Sequence, residues 1–263
     1  MTGAIFGDIV GSTYEFDNVK TTEFPLFTTV SSVTDDSVMT LALAEALMKS
    51  DIRANTEAFK KTFVECMHDY GDRYPTAGYG GNFAMWLTYH DTEPYGSYGN
   101  GSAMRVSPIA WYAETLEEAI RFAAASAEVT HDHPEGIKGA VCTAGAAFLA
   151  KTGADKETIR RFVEQYYDID FTLDEIRPSY VFKEICQESV PQAMVAFLES
   201  ESFEDCIRLA ISIGGDSDTI AAMAGAVAEA FYGMTEEEKE AIRPYLDDDQ
   251  LAILDCFMES YGE

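Results

Sequence analysis

Two short acidic runs begin at positions 34 and 214 of this 263-residue chain. The first reads Thr34-Asp35-Asp36-Ser37 and precedes the apolar stretch 38–48. The second reads Gly214-Gly215-Asp216-Ser217-Asp218-Thr219 and precedes the small-residue stretch 220–230. Joined by folding, they offer four carboxylates with hydroxyls beside them, the oxygen donors that hard divalent cations take. The competing reading is helix capping, because Asp, Ser and Thr favour N-caps and acids suit the positive end of the helix dipole. A cap needs one acid, however, and adjacent aspartates repel unless a cation offsets them. The two runs together therefore point to a metal site. They are not an EF-hand loop, which needs a glycine at its sixth position and a glutamate at its twelfth.

A third group lies near the N-terminus, in Gly7-Asp8 and Glu15. Asp8 and Glu15 are about two helical turns apart and face one way if a helix continues through both. The alternative is two solvated acids on a surface helix. Gly3, Gly7 and Gly11 share one helix face, where a second backbone can approach closely.

The elements that must position these groups read as helices. Apolar residues recur at helical spacing over 2–13, 36–49, 56–70, 116–128, 136–151, 155–167, 189–199, 203–213, 217–232 and 250–261, and no alternating strand appears. The expectation is an all-α fold, a single domain over 1–263 with one shared core. Hydrophobic residues make up 47% of the chain, enough for such a core. Two glycine-rich stretches, 71–82 and 94–108, read as loops that let backbone approach a ligand. Residues 168–183 read as a third irregular segment with no clear chemical message.

A net charge of −28 argues against non-specific nucleic-acid or anionic-membrane binding. An anionic ligand would have to be held by metal ions, helix N-termini or backbone amides. There is no basic-then-apolar leader and no run of ~20 apolar residues that would span a membrane. The five cysteines are scattered and never in CxxC spacing, which reads as reduced cytoplasmic thiols. His131 and His133 form His-x-His, a candidate transition-metal pair, with His133 read as a surface residue. Trp86 and Trp111 read as core. His68 and His90 have no nameable partner.

GDIVGSTYE, TDDS, SYGNGSAMR, VTH and GGDSDTIAAMAGA occur in that order. This series resembles the ADP-ribosylglycohydrolase family over nearly the whole chain, and SYGNGSAMR with the tyrosine before Glu15 is similar to its serine-hydrolase branch. The resemblance implies a compact, single orthogonal helical bundle with a binuclear magnesium centre in a cleft, manganese being the alternative ion. By motif position Thr34, Asp35 and Asp36 would bind one ion with Asp218. Asp216, Asp218 and Thr219 would bind the second, with Asp218 bridging. Glu15 matches the catalytic glutamate. Gly96, Ser97, Tyr98 and Asn100 match the loop around the diphosphate and adenosine of ADP-ribose, with the backbone amides of 96–101 as its cradle, and His131 matches a histidine beside the substrate. The glycine stretch 78–81 resembles a second loop lining the cleft.

Ser37 stands where the family usually has Thr, and Thr92 falls near a position that stacks adenine in the serine-hydrolase branch, leaving that role to Tyr95 or Tyr98. Arg105 would either add charge for the diphosphate or form a structural ion pair. The implied activity is magnesium-dependent cleavage at C1″ of an ADP-ribosylated protein or small molecule by a cytoplasmic monomer. The alternatives are a non-catalytic, crystallin-like ADP-ribose-binding protein and a hydrolase of another ribosyl compound.

Overall fold

The computed structural model describes residues 1–262. Fifteen α-helices are found among these residues, and the only β-type pairing is an isolated antiparallel bridge between Gly99 and Ile185. The all-α expectation holds. In chain order the helices of the first half are α1 (Thr2–Ser12), α2 (Asp35–Lys49), α3 (Thr56–Arg73), α4 (Gly81–Thr88), α5 (Gly101–Met104), α6 (Ser107–Tyr112) and α7 (Leu116–Glu128). Those of the second half are α8 (Pro134–Lys151), α9 (Lys156–Val163), α10 (Leu173–Ile176), α11 (Cys186–Glu199), α12 (Phe203–Ser212), α13 (Ser217–Tyr232), α14 (Glu236–Ile242) and α15 (Asp248–Tyr261). One principal apolar cluster draws on residues from Met1 to Phe257.

The centre of the fold is the pair α1 and α13. Both are buried along almost their whole length, so neither has a polar face to give to water. Their approach depends on glycine. An ideal Cβ on Gly7 would lie 2.1 Å from Ala221 O, one on Gly3 2.4 Å from Gly225 O, and one on Gly11 2.4 Å from Asp218 Cα. Backbone thus touches backbone along the glycine face, and dispersion contacts replace side-chain interdigitation. The same packing sets the start of α13 against the end of α1, where Ser217 Oγ donates to Gly11 O at 3.1 Å. The turn into α13 passes through Gly214 and Gly215, at φ +67° and +80°, left-handed values that glycine adopts without strain.

Several local expectations are corrected. The first helix stops at Ser12, so Asp8 and Glu15 do not share a helix face. Asp8 is no solvated acid: it is fully buried. Helix α3 runs through Gly71 to Arg73, α4 starts at Gly81, and α5 forms a helical turn inside the glycine-rich stretch 94–108. The predicted helix over 155–167 ends at Val163, and the one over 189–199 starts at Cys186 and accommodates Pro191. Trp86 is core, as expected, with its Nε1–H donating to Glu93 O. His68 does have partners: it stacks on Trp86 and bonds Asp91 O through Nε2. No described helix is long and apolar enough to cross a membrane.

Candidate active site

The two acidic runs do meet. Thr34 caps α2 with an extended backbone, and Asp216 precedes α13, so each run lies at a helix N-terminus pointing into the same cleft. Asp8, delivered from the middle of α1, anchors the first run. Its Oδ1 accepts from Thr34 Oγ1 at 2.6 Å, and its Oδ2 accepts from the N–H groups of Thr34 and Ser37, both at 3.1 Å, and from the Ser37 hydroxyl. Ser37 thus gives its hydroxyl to the Asp8 carboxylate. Across the gap Thr219 Oγ1 donates to Asp36 Oδ2 at 3.1 Å, which ties α13 to α2.

Two sets of oxygens converge within 4.8 Å: Asp8, Asp36 and Asp218, and Glu15, Asp216 and Asp218. Asp218 belongs to both. Asp35 also lines the cleft but lies outside both sets. The convergence of Glu15 and Asp8 with the two runs is tertiary, and Asp8 was missed as a member of the cluster. Its only sequence signal was its place between the close-packing glycines of α1.

Holding so many carboxylates in a buried space is costly without compensation. Burial first, then Asp8 and Asp216, pushes Asp35 up to about 8. Burial, then Asp216, pushes Glu15 up to about 7, against a hydrogen bond to Asp218 that acts the other way. Burial and neighbouring carboxylates raise Asp36 and Asp218 well above the ordinary range. Asp36 Oδ1 is buried with no hydrogen-bond partner. An orphaned carboxylate oxygen facing several others is the donor set that suits a hard divalent cation, so the residues fit such an ion.

Glu15 lies beyond α1 in a turn held by Asn18, whose Nδ2 donates to Tyr14 O and Glu15 O at 2.7 and 2.9 Å. Above the acids, the cleft of about 480 Å³ is walled by residues drawn from the segments 78–83, 95–105 and 182–185, with His131. That volume falls within the range of small-molecule sites.

The wall containing Gly96, Ser97, Tyr98 and Asn100 is tied down on three sides. Asn100 Nδ2 donates to Asp216 Oδ2 at 2.7 Å, Gly96 N–H to Asp132 Oδ1 at 2.7 Å, and Asn100 N–H to Glu184 O at 2.9 Å. Gly99 N–H turns back to Ser97 Oγ. The expected amide cradle is thus partly used internally. The N–H groups of Ser97 and Tyr98 make no bond among the described residues.

The segment 168–183, read as irregular and without a message, contains the helical turn α10, and its end together with the next two residues does carry a message. It returns to the loop through the Gly99–Ile185 bridge and brings Phe182 and Glu184 to the cleft. Phe182 stacks with the highly exposed Phe16 at 6.1 Å. Tyr98 stands at the mouth, 47% exposed, and Tyr95 is half-buried 6.1 Å from the His131 ring. Thr92 is exposed and outside the lining. His131 is buried and lines the cleft, whereas His133 is exposed and caps α8, so the two do not pair. Arg105 is fully buried with no carboxylate at ion-pair distance among the described residues, which overturns the structural ion pair.

The sequence model described as ADP-ribosylglycohydrolase matches residues 1–257. The chain belongs to the ADP-ribosylglycohydrolase family. It is therefore a member of a family of hydrolases that act on glycosyl bonds. It is 30% identical to ADP-ribosylhydrolase ARH3 of Mus musculus, over 90% of this chain and 83% of the relative. It is 29% identical to ADP-ribosyl-[dinitrogen reductase] glycohydrolase of Rhodospirillum rubrum, over 78% of this chain and 70% of that one. It is 27% identical to ADP-ribosylarginine hydrolase Tri1 of Pseudomonas putida, over 89% and 70%. Among solved structures, an ADP-ribosylglycohydrolase-related protein complex superposes with a TM-score of 0.64 at 22% identity, covering 97% of this chain and 95% of that one, which establishes the shared fold.

Proposed function

We propose that this protein hydrolyses the bond between C1″ of ADP-ribose and an acceptor, releasing ADP-ribose, with two divalent cations, magnesium or manganese, in the acidic floor. The observation that carries this reading is the convergence of Glu15 with Asp216 and Asp218, beside Asp8 and Asp36, under one wall of free backbone N–H groups. Thr34, Asp35 and Asp36 would hold one ion with Asp218, and Asp216, Asp218 and Thr219 the other. Bound there, the cations supply Lewis acidity and positive charge to the ribose hydroxyls.

The chain's own groups do the rest. The Ser97 and Tyr98 N–H groups receive the diphosphate oxygens, as a backbone nest does. The exposed Tyr98 ring offers the adenine a flat apolar face. Glu15, which burial and Asp216 raise to about 7 in the cation-free cleft, donates a proton to the leaving atom as an oxocarbenium-like centre develops at C1″. The carboxylate so formed then accepts a proton from the attacking water. Asn100 holds the Asp216 carboxylate in place throughout.

Relatives named for both arginine and dinitrogen-reductase substrates support the reaction class and leave the acceptor to experiment. The test is to incubate the protein with arginine-, serine- and O-acetyl-linked ADP-ribose, with magnesium and with EDTA, and to measure ADP-ribose released. Cation-dependent release from one of them supports the reading and names the bond. Tight ADP-ribose binding without release from any substrate overturns catalysis in favour of a binding protein.

A further inference from the structure

Arg105 is an unusual buried cation. Its Nη2 donates to Ser126 O at 3.1 Å and to Thr130 Oγ1 at 2.9 Å, and its guanidinium lies 5.2 Å from the centre of the Phe63 ring. Thr130 Oγ1 in turn lies 2.7 Å from His131 Nδ1. Directionality follows from donor inventories. A guanidinium only donates, so Thr130 Oγ1 accepts from it. Thr130 is fully buried, and His131 Nδ1 is the one acceptor within reach of its hydroxyl hydrogen among the described residues. Were Nδ1 protonated instead, that hydrogen would be stranded in a buried place, at a cost of about 1–3 kcal/mol.

The ring hydrogen of neutral His131 therefore lies on Nε2. The ring's one hydrogen bond among the described residues is the one at Nδ1, which leaves Nε2 free, and the ring lines the cleft. It faces the phosphate-side wall: an ideal Cβ on Gly101 would lie 3.1 Å from Nε2, and one on Gly99 3.7 Å. Burial, and then the positive charge of Arg105, disfavours a second ring proton.

We propose that Arg105 and Thr130 are positioning residues that lock His131 as the neutral Nε2–H tautomer, so that it presents a hydrogen-bond donor to an acceptor oxygen of the ligand beside the Gly99–Gly101 wall. The identity of the ligand rests on the ADP-ribose reading above; the tautomer does not. His131 is then neither a general base nor a cation in this cleft. The relay gives an arginine with no carboxylate partner a route to the site through the Thr130 hydroxyl.

The experiment is two-bond ¹H–¹⁵N imidazole NMR on the labelled full-length protein at pH 7, with His131→Asn used to assign the ring. Protonated Nε2 and unprotonated Nδ1 are expected in the free protein. Thr130→Val should give a mixture of tautomers and weaken ADP-ribose binding about tenfold, the size of one lost hydrogen bond. Thr130→Ser should restore both, which a merely space-filling role for Thr130 would not require. A protonated Nδ1 or a doubly protonated ring in the wild-type protein overturns the relay, and this readout needs no variant to fold. If ADP-ribose binds without moving the His131 resonances, the donor role is overturned. If ADP-ribose does not bind at all, the ligand assignment fails, while the free-protein spectrum still decides the tautomer.

Discussion

Asn18 grips the backbone of Gly215 from both sides: Nδ2 donates to Gly215 O at 3.0 Å and Oδ1 accepts from Gly215 N–H at 2.8 Å. The same amide also binds the carbonyls of Tyr14 and Glu15. One side chain thus fixes the turn that carries Glu15 against the turn that carries Asp216. Asn18→Ala should lower stability by about 1–3 kcal/mol, from the peptide groups left unpaired. It should also cut ADP-ribose release on the order of 10²-fold, because Glu15 loses its register with the cluster. Thermal melts and release assays on the same preparation check both effects; unchanged release would detach Asn18 from the site.

Glu15→Gln keeps the size of the side chain and removes its acid–base chemistry. Release of ADP-ribose should fall about 10²–10⁴-fold. Stabilisation by added magnesium should persist, since Asp8, Asp36, Asp216 and Asp218 remain. A folded Glu15→Gln protein with full activity would sink the assignment.

The acidic floor predicts an unusual pH response in EDTA. Asp35 is raised to about 8 and Glu15 to about 7, from ordinary values near 4. The folded state therefore holds protons that the unfolded chain releases. Their stabilising contribution is full below about pH 4 and is lost as pH rises through about 7 to 8. Without cations, Asp35→Asn should melt higher than wild type at pH 8, and the gap should shrink toward pH 5. Magnesium should raise the wild-type melting temperature most at the higher pH, by mass action on ionised ligands. A gap that does not change with pH would contradict the shifted carboxylates.

Gly7→Ala tests the close packing of α1 on α13. Its Cβ would lie 2.1 Å from Ala221 O, and backbone cannot yield as a side chain end can. The loss should be about 1–3 kcal/mol or failure to fold, read by denaturant unfolding. Since Asp8 is the next residue, a folded Gly7→Ala protein should also bind magnesium more weakly.

Much of the site was legible in residue types. Aspartates beside hydroxyls at the starts of two apolar helical stretches announced a cation site, and the glycine spacing of 2–13 announced a close helix contact. Asp8 was weighed only as a partner of Glu15, because a lone aspartate in an apolar helix carries no signal of the four hydrogen bonds it will accept. Phe182 and Glu184 were passed over because a segment without periodicity gives no clue to where it returns. Arg105 was left between two roles, and it took the Thr130–His131 contact to supply a third.

By itself, the sequence determined ten of the fifteen described helices, those with a clear apolar period, and that two of their starts would be acidic. Hydrophobic period and capping preference act over a few residues and need no partner. Only the tertiary structure decided that Glu15 and Asp8 join the two runs, that Asp218 serves both oxygen sets, and that His131 takes its hydrogen on Nε2. Each depends on contacts between residues far apart in the chain, where direction and distance are set by how α1, α2, α7 and α13 pack, and no local pattern encodes that geometry.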